Sequence, residues 1–124
     1  MGKIYNLFSN HEPAPATHSV ESANHILPLI SRYTQEAVTQ SASLTVKMEE
    51  FPRNSSEHQD LARQYDKVID RWVHRIHRLG GVAKGLWLVD FDTGNGYLCW
   101  CYPEPRVEHF HPYDATYKSR KRIG

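Results

Sequence analysis

Only two cysteines, Cys99 and Cys101, stand in the 124-residue chain. That excludes the disulfide framework that stabilises small secreted domains. No apolar run approaches the ~20 residues that a bilayer-crossing helix needs. The opening residues Met1 to Asn6 have neither the apolar stretch nor the small-residue cleavage site of a secretory signal, so a cytoplasmic location is expected. Neither sign of charge dominates: fifteen Lys and Arg face fourteen Asp and Glu, a formal net charge of +1. This balance removes the global electrostatic case for nucleic acid or anionic lipid. A nucleophile elbow, a phosphate loop and a His-Glu-x-x-His helix are also absent. What is present is 40% hydrophobic residues, enough for one modest core in one domain of mixed α and β structure.

Residues 1–18 show no period. Two prolines among polar and small residues at 10–17 read as a flexible N-terminal arm, and a single domain is expected over 19–124. Ser19 is suited to cap a helix, with Glu21 in its first turn where the dipole favours negative charge. Val20, Ala23, Leu27, Ile30, Thr34, Ala37, Ser41, Leu44, Met48 and Phe51 recur in steps of three and four, which is a helical seam. Small residues at its middle would let a partner helix approach closely. Pro28 lies inside and should bend the helix, because it lacks an amide donor and clashes with the preceding turn. Ser56-Glu57-His58-Gln59 reads as the capping box of a second helix, whose buried stripe is Leu61, Tyr65, Val68, Trp72, Ile76 and Leu79. Gly80-Gly81 stops it. The short link predicts an antiparallel hairpin.

After Gly85 the period changes to two. Strands are expected over 86–91, 97–102 and 106–111, with turns at 92–96 and 103–105. The second turn sets Cys99 opposite His109 and Trp100 opposite Glu108. Tyr97, Cys99, Cys101, Val107, His109 and His111 then share one face, and Leu98, Trp100, Tyr102, Glu108 and Phe110 the other. The parity of the first hairpin stays open. Both faces carry large apolar groups. Helices can cover only one, so a homodimer or another partner is expected on the second. Residues 112–124 read as a tail with four basic residues in its last seven.

These residues resemble a known family, domain of unknown function 2203, known from bacteria. The segment Ser19-Val20-Glu21-Ser22-Ala23-Asn24, with Leu27-Pro28 after it, is similar to that family's opening. Val89-Asp90-Phe91, Leu98-Cys99-Trp100 and the closing His111, Asp114, Ala115, Tyr117 and Arg120 are similar to its C-terminal signature. Asp92, Cys101, Pro103 and Thr116-Tyr117 depart from the pattern. The resemblance spans roughly 19–123. It implies a small cytoplasmic bacterial protein and carries no activity, cofactor or site role.

Four constellations could carry chemistry. Cys99, Cys101, His109 and His111 offer zinc-type ligands on adjacent strands. However, side chains two apart on a strand are ~6.5–7 Å apart, whereas tetrahedral ligands lie within ~4 Å. The alternative is a buried apolar Cys99 with histidines at the rim. Asp66, Asp70, His74 and His77 form a polar stripe on the second helix that could bind metal or act as a base and its orienter. Lys67, Arg71, Arg75 and Arg78, with Arg120, Lys121 and Arg122, could meet a phosphate backbone. A solvated helix face is the favoured reading of both stripes. Asp90, Glu104, Glu108, His109, His111 and Asp114 gather near one end of the sheet, where acid–base work is conceivable.

The sequence thus predicts an α+β fold: a long antiparallel helix hairpin packed on a small three-stranded antiparallel sheet, with a flexible N-terminal arm and a basic C-terminal tail. The leading function is a non-enzymatic binding or interaction protein, expected to be a homodimer. It would use the sheet face or its His and acid rim, with Trp87, Asp90, Trp100, Glu108, Asp114 and Arg120 as the ligand or partner surface. The alternative is a protein holding a divalent metal such as zinc through Cys99, Cys101, His109 and His111, with hydrolysis as an attached option. A nucleic-acid-associated factor is the third reading.

Overall fold

The computed structural model describes residues 17–123. The expected arm lies outside these residues apart from Thr17 and His18. The backbone N–H of His18 donates to the Asp92 carbonyl at 2.7 Å, so the chain is docked on the sheet before the first helix starts. Helix α1 runs Val20–Met48 and helix α2 runs Ser56–Arg78. Five strands follow: β1 (Val82–Gly85), β2 (Leu88–Asp92), β3 (Tyr97–Cys101), β4 (His109–His111) and β5 (Lys121–Arg122). A 3-10 turn at Tyr117–Ser119 precedes β5. All strands pair antiparallel in the order β1-β2-β3-β4-β5.

The helices form where the spacing places them. Ser19 caps α1 by accepting from the Ser22 amide, and the Ser22 hydroxyl accepts in return from the Ser19 amide. The cap of α2 is Ser55, one residue earlier than expected, accepting from the His58 amide. Along α1 the buried residues are Ala23, Leu27, Ile30, Thr34, Ala37 and Ser41. The small residues at the centre of this seam receive Trp72 of α2, whose indole N–H donates to the Thr34 hydroxyl at 2.8 Å. Thr34 donates onward to the Ile30 carbonyl, so the buried polar chain is closed. Gly80 ends α2 at φ +92°, the left-handed conformation that glycine adopts without strain.

The sheet is larger than expected, five strands and not three. β1 lacks the period of two that reveals strands: Val82-Ala83-Lys84-Gly85 contains two small residues, and its pairing is interrupted between Ala83 and Gly85. The third expected strand shrinks from 106–111 to His109–His111. Val107 falls out of the ladder because Asn24 of α1 takes both its backbone groups. The Val107 N–H donates to Asn24 Oδ1 at 2.8 Å, and Asn24 Nδ2 donates to the Val107 carbonyl at 3.0 Å. Val107 is therefore turned into the core, not onto the face of His109 and His111. The pairing of Cys99 with His109 is as expected, and the first hairpin pairs Asp92 with Tyr97. This register directs Val89, Phe91, Leu98, Trp100 and Phe110 to the helices, where they join Leu27, Ile30, Trp72 and Ile76 in one core. Leu88, Asp90, Tyr97, Cys99, Cys101, His109 and His111 stand on the outer face by alternation.

The C-terminal residues are not a free tail. They turn back across the outer face and end by adding β5 to the sheet edge, with the Ile123 N–H donating to the Glu108 carbonyl at 2.8 Å. The oily second face that motivated an expected homodimer is thus covered by residues of the same chain. Among the described residues, no helix is long and apolar enough to cross a membrane.

Candidate binding site on the outer face of the sheet

Three strands each deliver one polar side chain to a single point. Asp90 of β2 lies directly opposite Cys99 of β3, and His111 of β4 sits diagonally across from Cys99. All three are buried: Asp90 and His111 are 3% exposed and Cys99 is 0% exposed. His111 Nε2 lies 2.9 Å from Asp90 Oδ2, and His111 Nδ1 lies 2.9 Å from the Pro112 carbonyl oxygen. A carbonyl can only accept, so Nδ1 carries a proton. One further proton is then shared between Nε2 and the carboxylate, and the pair is neutral overall. The Cys99 thiol donates to the same carboxylate. Burial raises the Asp90 carboxyl above its usual range, opposed by His111 and by the hydrogen bond from Cys99. Burial, with the Asp90 charge beside it, pushes the Cys99 thiol up to about 12. Such a thiol is protonated and a poor nucleophile at neutral pH, which argues against thiolate catalysis.

A second polar group braces the first. Arg120 grips Glu104 in a two-pronged pair, with Nη1 2.8 Å from Oε1 and Nη2 on Oε2. Its guanidinium also hydrogen-bonds the Cys99 sulfur and lies over the Tyr117 ring. Burial would raise the Glu104 carboxyl, but Arg120 and the Cys101 amide outweigh it and hold the group below its usual range. His109 stands 3.8 Å from Glu104 Oε2, outside the cluster of three. The Cys101 sulfur turns to the Tyr102 carbonyl at 3.5 Å. Of the four residues expected to hold zinc, the structure therefore unites Cys99 and His111, substitutes Asp90, and sets Cys101 and His109 apart.

Above the cluster, between the sheet and the returning C-terminal segment, is a cavity of about 340 Å³. Asp90 and His111 form its polar floor; Lys84, Leu88, Tyr97, Tyr113, Ala115, Thr116 and Tyr117 form its walls. Tyr97 and Tyr113 meet edge to face with centroids 5.1 Å apart, and Lys84 Nζ sits 4.7 Å above the Tyr97 ring. The Tyr113 hydroxyl donates to Asp92 at 2.7 Å, which fixes the segment to the end of β2. That bond, with the Gly94 amide, holds the Asp92 carboxyl low.

The other expected site residues are scattered. Trp100 lies at the centre of the core, its indole N–H given to the Glu104 carbonyl at 2.8 Å, so it offers no surface. Trp87 is half-buried against Trp72, with centroids 5.0 Å apart. Glu108 faces Arg122 at 3.6 Å, and Asp114 is exposed. On α2, Asp70 pairs with His74 at 3.3 Å while Arg75 bonds Glu36 and caps the Tyr33 ring. Asp70–His74 and Arg75–Glu36 are thus ordinary surface pairs. Asp66 keeps one buried carboxylate oxygen without a hydrogen bond, and the structure gives no physical account of it.

The chain belongs to the family described as uncharacterized conserved protein (DUF2203), whose model matches residues 17–123. No curated protein and no solved structure matches it. The residue blocks that carried the resemblance, Val89-Asp90-Phe91, Leu98-Cys99-Trp100 and His111, contain all three members of the buried cluster.

Proposed function

We propose that this protein is a non-enzymatic binding protein, and that its site is the cavity between the outer sheet face and residues 112–120. The observation that carries this reading is a buried Asp90–His111 floor beneath walls of tyrosine, leucine and alanine, with Lys84 and Thr116 among them. Ligand sites typically combine such apolar walls with a few convergent polar groups, in volumes of roughly 300–1,000 Å³. The ligand class that fits is a small molecule with an apolar or aromatic body against Tyr97, Tyr113 and Tyr117. Its polar head would exchange hydrogen bonds with His111, Asp90 or Lys84. The protonated thiol of Cys99 supports binding over catalysis.

The test is a fragment titration followed by amide and methyl chemical shifts. Benzoate, benzylamine, benzyl alcohol and imidazole serve as probes, in the presence of a chelator. One saturable site is expected, with shifts confined to Leu88, His111, Ala115 and their neighbours. Tyr113→Ala should weaken it by roughly 2- to 10-fold, the loss of one aromatic contact. Shifts spread over the helices, or no saturation by any probe, would refute the reading.

A further inference from the structure

We propose that Asp90, Cys99 and His111 form a binding site for one divalent transition-metal ion, of the class that zinc represents. The three potential ligand atoms, Asp90 Oδ, Cys99 Sγ and His111 Nε2, all lie within 4.8 Å of one another. Around a tetrahedral zinc, with bonds of ~2.0–2.3 Å, the same atoms would sit ~3.3–3.8 Å apart. The cluster therefore needs only small side-chain adjustments to close on an ion. The donor set of one thiolate, one imidazole and one carboxylate suits zinc or cobalt better than calcium or magnesium, which prefer all-oxygen shells.

The outer shell already has the form that a metal-binding histidine requires. His111 donates its Nδ1–H to the Pro112 carbonyl, which orients the ring and leaves Nε2, the nitrogen that faces Asp90, as the one to meet an ion. The charge balance closes as well. Without metal, the site holds the Cys99 thiol and one proton shared between Asp90 and His111, and is neutral. An entering M²⁺ displaces both protons and meets one thiolate, one carboxylate and one neutral imidazole, again neutral. Ion binding is thus an exchange of two protons for one dication, with no net charge added to a buried place. The Arg120 charge beside Cys99 is answered by Glu104 and does not oppose the ion alone. Three protein ligands leave a fourth position, and the floor made by Asp90 and His111 directs it into the cavity. There an external group or water would complete the shell, as in open zinc sites.

This inference rests on the proposed function only in placing the fourth ligand in the same cavity. The test uses the full chain, stripped with chelator, desalted, and titrated with zinc in the absence of any organic fragment. Native mass spectrometry is expected to show one ion per chain, and a weakly buffered solution at pH 7 should release two protons per ion. Asp90→Asn and Cys99→Ala should each weaken binding at least 10-fold, whereas Cys101→Ser and His109→Gln should leave it within 2-fold. Should Cys99→Ala fail to fold, Asp90→Asn supplies the decision, because its amide can satisfy the same hydrogen bonds. A metal-free mass at micromolar zinc would overturn the proposal. So would zinc binding indifferent to Asp90→Asn, or binding that requires Cys101 or His109. The fragment titration is run with chelator present, so the cavity reading and the metal site can each fail alone.

Discussion

Replacing Asp90 in two ways separates its structural work from its chemistry. In Asp90→Ala, His111 Nε2 and the Cys99 S–H lose their shared acceptor at positions only 3% and 0% exposed. A buried polar group left without a partner costs about 1–3 kcal/mol, and the thiol, a weak donor, adds less. The small void left by the carboxyl adds a further term. The expected loss is about 2–4 kcal/mol. In urea this should lower the unfolding midpoint by roughly 1–2 M with the slope unchanged. Asp90→Asn keeps the shape. Its amide can donate to Nε2 while its carbonyl accepts from Cys99, and His111 keeps its bond to Pro112. Stability should then stay within about 1 kcal/mol of the parent. An alanine variant as stable as the parent would refute the account of this cluster. So would an asparagine variant as weak as the alanine one, since it would mean that the carboxylate charge itself holds the fold.

Four further outcomes follow from the burial of Cys99 and from the core hydrogen bonds. The Cys99 thiol titrates near 9.0 when unfolded and at about 12 when folded. The unfolded chain therefore releases this proton first, and stability should fall as pH rises from about 9 through 12, a slope that Cys99→Ala removes. Alkylation at pH 8 should mark Cys101 well before Cys99, as mass-mapped peptides would reveal. Asn24→Ala should cost about 2–4 kcal/mol and speed hydrogen exchange at the Val107 amide, because two backbone groups lose their partner together. Thr34→Val, nearly isosteric, should cost about 1–3 kcal/mol in a denaturant titration by orphaning the Trp72 indole N–H.

The helix hairpin was legible because its signals are local: serine caps, a seam in steps of three and four, and Gly80 as a stop. The β2–β3–β4 ribbon was legible through alternation, and the pairing of Cys99 with His109 through turn length. What the sequence hid is non-local. β1 carries no alternation, and β5 is two exposed basic residues that count as a strand only because β4 is there to pair. Val107 follows the strand pattern in sequence, yet an asparagine 83 positions away takes its backbone groups. The cluster itself was half visible. Alternation put Cys99 and His111 on one face, but placing Asp90 with them required the parity of the first hairpin, which loop chemistry alone left open. The cover over that face was hidden for the same reason. Tyr113, Tyr117 and Arg120 are exposed or half-exposed residues in a polar segment, and only the bonds of Tyr113 to Asp92 and of Arg120 to Glu104, with Tyr117 under the Arg120 guanidinium, reveal that they are docked.

The most direct test of the account is the absorption spectrum of the chelator-stripped protein as cobalt(II) is added. The account predicts a near-ultraviolet thiolate-to-cobalt band that saturates at one equivalent, persists in Cys101→Ser, and vanishes in Cys99→Ala. A spectrum identical to that of free cobalt, or a band that disappears with Cys101 and survives without Cys99, would contradict it.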